Sequence, residues 1–201
     1  VVKKQTEQVD EIDTLFILEK EIIRILLLFG NQETDFVDLI EVKDEHGKIH
    51  FEQEKYTNQV SKELYLNLQE DEVEFSNEVF RNIYYEMIHQ LNQEDKIEID
   101  AFINHPNLKI AEIVTSVLMD NEKYTLSDWE RKNIYVSEAD EVLSKLVTDA
   151  ILNLRRVLID KKIEQLINPD ETSEVEKTDL ELIQSYTELK KRLYTKLMRV
   201  V

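Results

Sequence analysis

The sequence predicts an all-α protein: a globular helical bundle, a long connecting helix and a C-terminal helical hairpin. Three observations carry that prediction. Only two glycines and two prolines occur in 201 residues, and these residues punctuate hairpins, bulges and phosphate loops. Apolar residues recur at spacings of three and four along most of the chain, the period of one helical face. The longest such pattern, Glu138 to Ile167, contains neither glycine nor proline.

A first helix is expected from about Asp13 to Phe29, with Leu15, Leu18, Ile22, Ile25 and Phe29 on one face. Gly30-Asn31 offers a left-handed stop. Phe36 to Val42 is expected as a short helix, "KDEHGK" as a polar turn around Gly47, and "KIHF" as a brief extended piece. Helices follow over Tyr56–Leu68 and Ser76–Leu91, the second with Val79, Ile83, Met87 and Leu91 four apart. "DKIEID" reads as a linker or a helix start. His105-Pro106 is a break, because proline drives its predecessor out of the helical region. Leu108–Met119 is then helical, with Ile110, Val114, Val117 and Leu118 inward.

Ser127 with Glu130 forms a capping box around Trp129, which reads as a packing anchor; Ser137 with Asp140 forms a weaker one. The helix over about 138–167, with Val142, Leu146, Ala150, Leu154 and Leu158 on one face, would reach roughly 45 Å and project beyond the bundle. Asn168-Pro169 ends it, and a third box, Ser173 with Glu176, starts the last helix. The division is a globular subdomain over 1–150 and a hairpin over 151–201 that shares the long helix.

Composition narrows the function classes. The apolar share of 42% is too high for a disordered acidic tail. The chain opens on "VVKK" without methionine, which fits a fragment of a longer protein. There is no signal peptide and no apolar run long enough for a bilayer; Arg24 interrupts "IIRILLLF". With no cysteine there is no disulfide, thiol nucleophile or thiolate metal site, which fits a cytoplasmic protein. A net charge of −18 disfavours broad phosphate-backbone binding. That charge is uneven: residues 1–150 hold 15 Lys/Arg against 34 Asp/Glu, residues 151–201 hold 10 against 9.

No chemistry stands out. His46 and His50 flank Gly47 in a turn rather than sharing a helical face, and His89 and His105 lack ligand-spaced neighbours. The acidic clusters Glu70-Asp71-Glu72 and Glu94 to Asp100 read as solvated faces, since no glycine-rich loop accompanies them. No Gly-x-Ser-x-Gly elbow is present. No catalytic, cofactor or metal residues are therefore assigned.

The terminal helix is different. Its stripe, Leu182, Tyr186, Leu189, Leu193 and Leu197, is expected to face Leu154, Leu158, Ile163 and Leu166. Tyr194, Met198 and the "RVV" end widen the apolar face beyond a two-helix seam, as amphipathic helices that dock on a partner do. The apolar part of the expected partner surface is Tyr186, Leu189, Leu193, Tyr194, Leu197 and Met198. Lys190, Lys191, Arg192, Lys196 and Arg199 would set orientation and on-rate. A protein partner fits better than nucleic acid, because the same hairpin holds nine carboxylates and the rest of the chain would repel a duplex.

These parts resemble the C-terminal, helicase-binding domain of bacterial DNA primase. The order matches: an apolar helix "EKEIIRILLLFGN", short helices, the connecting helix "ADEVLSKLVTDAILNLRRVLIDKKIEQLI" and the closing helix "TDLELIQSYTELKKRLYTKLM". "EKEIIRILLLFG" and "LSDWERKNIYV" look like a Bacteroidetes-type version. The resemblance covers nearly the whole chain. It implies a non-catalytic, all-α module that docks on the N-terminal domains of the hexameric replicative helicase, chiefly through the hairpin, and recruits the primase for RNA primer synthesis in DNA replication. The zinc ribbon and the magnesium-dependent polymerase core of a whole primase would lie elsewhere in the parent chain. The segment from Val42 to Tyr56 departs from the pattern by its length. Two other classes compete: a metal-dependent helical-bundle enzyme, which needs inward carboxylates, and an unrelated helical scaffold or regulator.

Overall fold

A computed structural model describes residues 13–44, 48–128, 136–167 and 177–199. The chain is predominantly helical. Among the described residues, seven helices and one antiparallel pair of strands follow in the order α1 (Thr14–Phe29), β1 (Glu33–Lys43), β2 (Ile49–Gln59), α2 (Val60–Glu70), α3 (Glu78–Glu94), α4 (Ile99–Ile103), α5 (Leu108–Asp128), α6 (Val136–Ile167) and α7 (Lys177–Arg199).

α1 is the centre of the core. Ile22, Ile23, Ile25 and Leu26 are fully enclosed, so this helix buries a broad apolar face, with Glu21 and Arg24 paired on the opposite side. Asp13 begins it, its carboxylate accepting from the amides of Leu15 and Phe16. At its end Gly30 keeps a right-handed helical backbone, with φ −53°. The expected left-handed stop is therefore replaced by a close approach: a β-carbon at Gly30 would meet Ile97 Cδ1 at 3.1 Å and the Leu26 carbonyl oxygen at 2.3 Å.

The expected helix over Phe36–Val42 is a strand. β1 and β2 pair over eleven positions, from Glu33 opposite Gln59 to Lys43 opposite Ile49. Phe36 stacks on Tyr56 directly across the ladder, with ring centroids 5.9 Å apart. β-branched and aromatic residues at Phe36, Val37, Ile40 and Val42 favour the pleated surface over the helix. Asp44 closes the connection, its carboxylate accepting from the Lys48 amide at 2.8 Å.

Asn77 begins α3 by accepting from Val79 and Phe80, and Ile83, Met87 and Leu91 line its buried face as the spacing predicts. Asp95 ends it in the left-handed conformation. α5 runs on past Met119 to Asp128, so Ser127 lies in its last turn and does not start a helix. Ser137 likewise falls inside the first turn of α6. Trp129, Glu130, Ser173 and Glu176 lie outside the described residues.

α6 is the spine. Its 32 residues span about 48 Å. Leu143, Val147, Ala150, Ile151 and Leu154 enter the main core, while Leu152 and Ile159 join a second, smaller cluster with Leu193 of α7. The single stripe expected through Val142 is thus shifted: Val142 is exposed and Leu143 buried. Placed on a helical wheel, the two buried faces stand roughly 160° apart. α7 therefore sits on the side of α6 turned away from the body.

Candidate functional site

The candidate site is the α6–α7 hairpin. α7 packs on α6 and on no other described element to a comparable extent. The seam consists of Leu193 against Leu152 and Ile159, with Tyr186 and Ile163 packed partly buried at its margin. Leu154, expected in that seam, faces the body instead.

Ion and ring contacts tie the seam laterally. Lys190 Nζ lies 2.5 Å from Asp160 Oδ1 on α6. The hydrogen bond to Asp160, followed by its charge, holds the Lys190 ammonium above the ordinary lysine value. Lys190 and the Arg156 guanidinium both stand over the Tyr194 ring, at 6.0 and 5.8 Å from its centroid. A cation over an aromatic face is attracted by the ring quadrupole, so Tyr194 is held at the edge of the seam rather than left to swing.

Four large apolar side chains of α7 remain outside, among polar ones. Leu182 and Leu189 are 46% and 44% exposed, Leu180 and Tyr194 59% and 40%. Leu182 and Leu189 are seven residues apart, so they fall on one flank of the seam, within roughly 20° of each other. Leu180 and Tyr194 fall on the other flank. Exposed Lys191 and Arg192 lie between Leu189 and Tyr194 in sequence, and exposed Lys161 and Lys162 stand on α6.

Of the expected partner surface, Leu189, Lys191, Arg192 and Tyr194 are exposed on α7, Leu189 on one flank of the seam and Tyr194 on the other. Leu193, at 6% exposure, lies inside the seam with α6 and not on the open surface. Tyr186 and Lys190 are partly spent in the same way. Lys196, Leu197, Met198 and Arg199 continue α7, and their side chains lie outside the description. Leu180 was missed because it precedes the regular stripe. Its exposure follows from the width of the apolar arc, which a wheel drawn from Leu180 to Tyr194 would have shown.

Carboxylates are not uniformly outward. Glu19 on α1 is buried, and its two oxygens accept from the amides of Ser76 and Asn77 at 2.5 and 3.1 Å. It thus satisfies backbone donors just ahead of α3. Glu63 on α2 is also buried and accepts from Tyr56 Oη at 3.0 Å and from Asn58 and Asn67 side-chain amides at 2.9 Å. Burial, then this hydrogen bond, raises the Tyr56 phenol above its ordinary value. Arg155 of α6 continues the network, donating to Asn67 Oδ1 at 3.1 Å and to the Asp71 carboxylate. Both carboxylates are thereby committed to holding elements together.

Two of the described histidines bond a carboxylate, and His89 is exposed on α3. His50 bonds Glu52 on its own strand and His105 bonds Glu86, at 2.9 and 3.0 Å. Among the described residues no three His, Asp or Glu side chains converge as a metal site, and no helix is long and apolar enough to cross a membrane.

The sequence model of one protein family, described as a domain of unknown function (DUF8430), matches residues 3–200. No curated protein and no solved structure matches the chain significantly.

Proposed function

We propose that this chain, which belongs to the DUF8430 family, is a protein-docking module whose C-terminal hairpin recruits the polypeptide carrying it to a partner protein. The observation that carries this reading is the apolar surface left open on the two flanks of α7. Leu180, Leu182, Leu189 and Tyr194 are exposed on a helix whose main packed neighbour among the described residues, α6, turns its other face to the body. Apolar side chains left on both flanks of a seam, beside Lys191 and Arg192, have the composition of an interface core with a charged rim.

The resemblance described above supplies the partner. In this proposal the chain is the helicase-interaction domain of a bacterial DNA primase, docking on the N-terminal domains of the hexameric replicative helicase so that primers are made at the fork. The domain itself carries no catalysis, and the primase chemistry resides in the parent chain. Binding rests on burial of Leu189 and Tyr194, with Lys191 and Arg192 steering the encounter.

Deletion of residues 168–201 tests the reading. The truncated chain should keep its helical circular dichroism and lose co-migration with the cognate helicase in gel filtration. Undiminished co-migration would remove the hairpin from the interface.

A further inference from the structure

We propose that the β1–β2 ribbon is a second docking surface, one that takes an extended Lys/Arg-rich segment of another protein as a third strand along β2. The ribbon is longer than the body can cover. Eleven paired residues span about 36 Å, yet among the described side chains the buried ones, Thr34, Phe36 and Gln59, all lie at the base. Farther out, Val37 and Ile40 are 51% and 37% exposed, and every residue from Glu52 to Thr57 is exposed.

The sheet holds two strands among the described residues. α6 runs against β1, whereas β2 meets chiefly β1 and the helix α2 that follows it. β2 thus carries the open edge of the pair. A long edge turns alternate N–H and C=O groups outward, which is the template for strand addition.

Charge selects the occupant. The two strands carry six carboxylates against two lysines. On the face that holds Phe36 and Tyr56, Asp38 stands opposite Glu54, and Ile40 opposite Glu52. Glu52 and Glu54 stand on β2 itself, so the cations of a strand added along β2 come directly beside them. The same carboxylates repel a second copy of the ribbon, so the edge rejects its own kind while admitting a basic segment.

The test uses the intact chain and a fluorescein-labelled Lys-Val-Lys-Val-Lys-Val-Lys peptide, read by anisotropy at about 0.15 M salt. Saturable binding is expected, with the β2 amides, residues 49–59, gaining protection from hydrogen exchange in the complex. Paired reversal Glu52→Lys and Glu54→Lys should weaken binding roughly tenfold, and Lys55→Glu should tighten it. The same peptide N-methylated at every backbone amide lacks the ladder donors and should not bind. Equal binding of the N-methylated peptide, or indifference to the Glu52/Glu54 reversal, would overturn the proposal. So would protection confined to other segments, or dimerisation of the chain through the ribbon.

Discussion

Lys190 of α7 and Asp160 of α6 meet at 2.5 Å while both side chains stay partly exposed, at 33% and 40%. The pair closes one side of a hairpin whose apolar seam is small. Because solvent screens it, its share of the stability is modest. Asp160→Asn should cost under about 1 kcal/mol, seen as a small shift in thermal midpoint with the helical signal retained.

Leu193→Ala should behave differently. Removing a buried leucine costs roughly 2–5 kcal/mol, which is large for a seam of Leu152, Ile159 and Leu193 with only Ile163 and Tyr186 packed partly buried against it. The expected outcome is local: hydrogen-exchange protection disappears over Lys177–Arg199 while α1 and α3 keep theirs. Uniform loss across the chain would mean that hairpin and body unfold as one unit.

The double substitution Leu189→Ser and Tyr194→Ser removes exposed apolar surface, so stability should change by no more than about 0.5 kcal/mol per site. Affinity for the helicase, by titration calorimetry, should fall by at least roughly tenfold. Unaltered affinity would place the interface elsewhere.

Glu19→Leu leaves the amides of Ser76 and Asn77 without their acceptor. A charged acceptor of backbone donors contributes on the order of 2–3 kcal/mol, so the urea midpoint should drop clearly. Glu19→Gln retains one acceptor oxygen and should lose less.

Alkaline pH should weaken the fold. Burial, aided at Tyr56 by Glu63, raises the phenols of Tyr56 and Tyr84 above the ordinary 10.0. A raised value favours the protonated form in the folded chain. The contribution is thus complete below pH 10.0 and declines as pH climbs through the folded-state value. Urea midpoints should be flat below pH 10 and fall above it. Tyr56→Phe should flatten part of that fall, while its lost hydrogen bond costs about 0.5 kcal/mol at neutral pH because the ring is 37% exposed.

Much of the helical frame was legible. Ile22, Ile25, Ile83, Met87, Ile110 and Val114 sit where a 3.6-residue period puts them. The ribbon was not, for a physical reason. "FVDLIEV" has apolar residues on both parities because Val37 and Ile40 stand on opposite faces of a strand that is largely uncovered, so the two-residue alternation is blurred. Phe36, Leu39 and Ile40 then mimic helical spacing. α6 misled in the opposite direction. A single stripe through Val142 was sought, whereas the helix buries two faces, and Leu143 and Leu152 belong to different ones. In the candidate site the leucine stripe was visible, but which of its members would be spent on the seam was not. That depends on where Leu152 and Ile159 stand, which is a property of the pair of helices rather than of α7.

α6 runs from the body into the hairpin without a proline or a glycine, the usual places where a helix bends sharply. Whatever tilts its buried half must therefore carry the distal half along. With about 24 Å on either side of its midpoint, a rotation of ten degrees displaces the tip by roughly 4 Å. The shaft works as a lever: slight repacking around Leu143 and Val147 re-aims Leu189 and Tyr194 as one rigid piece.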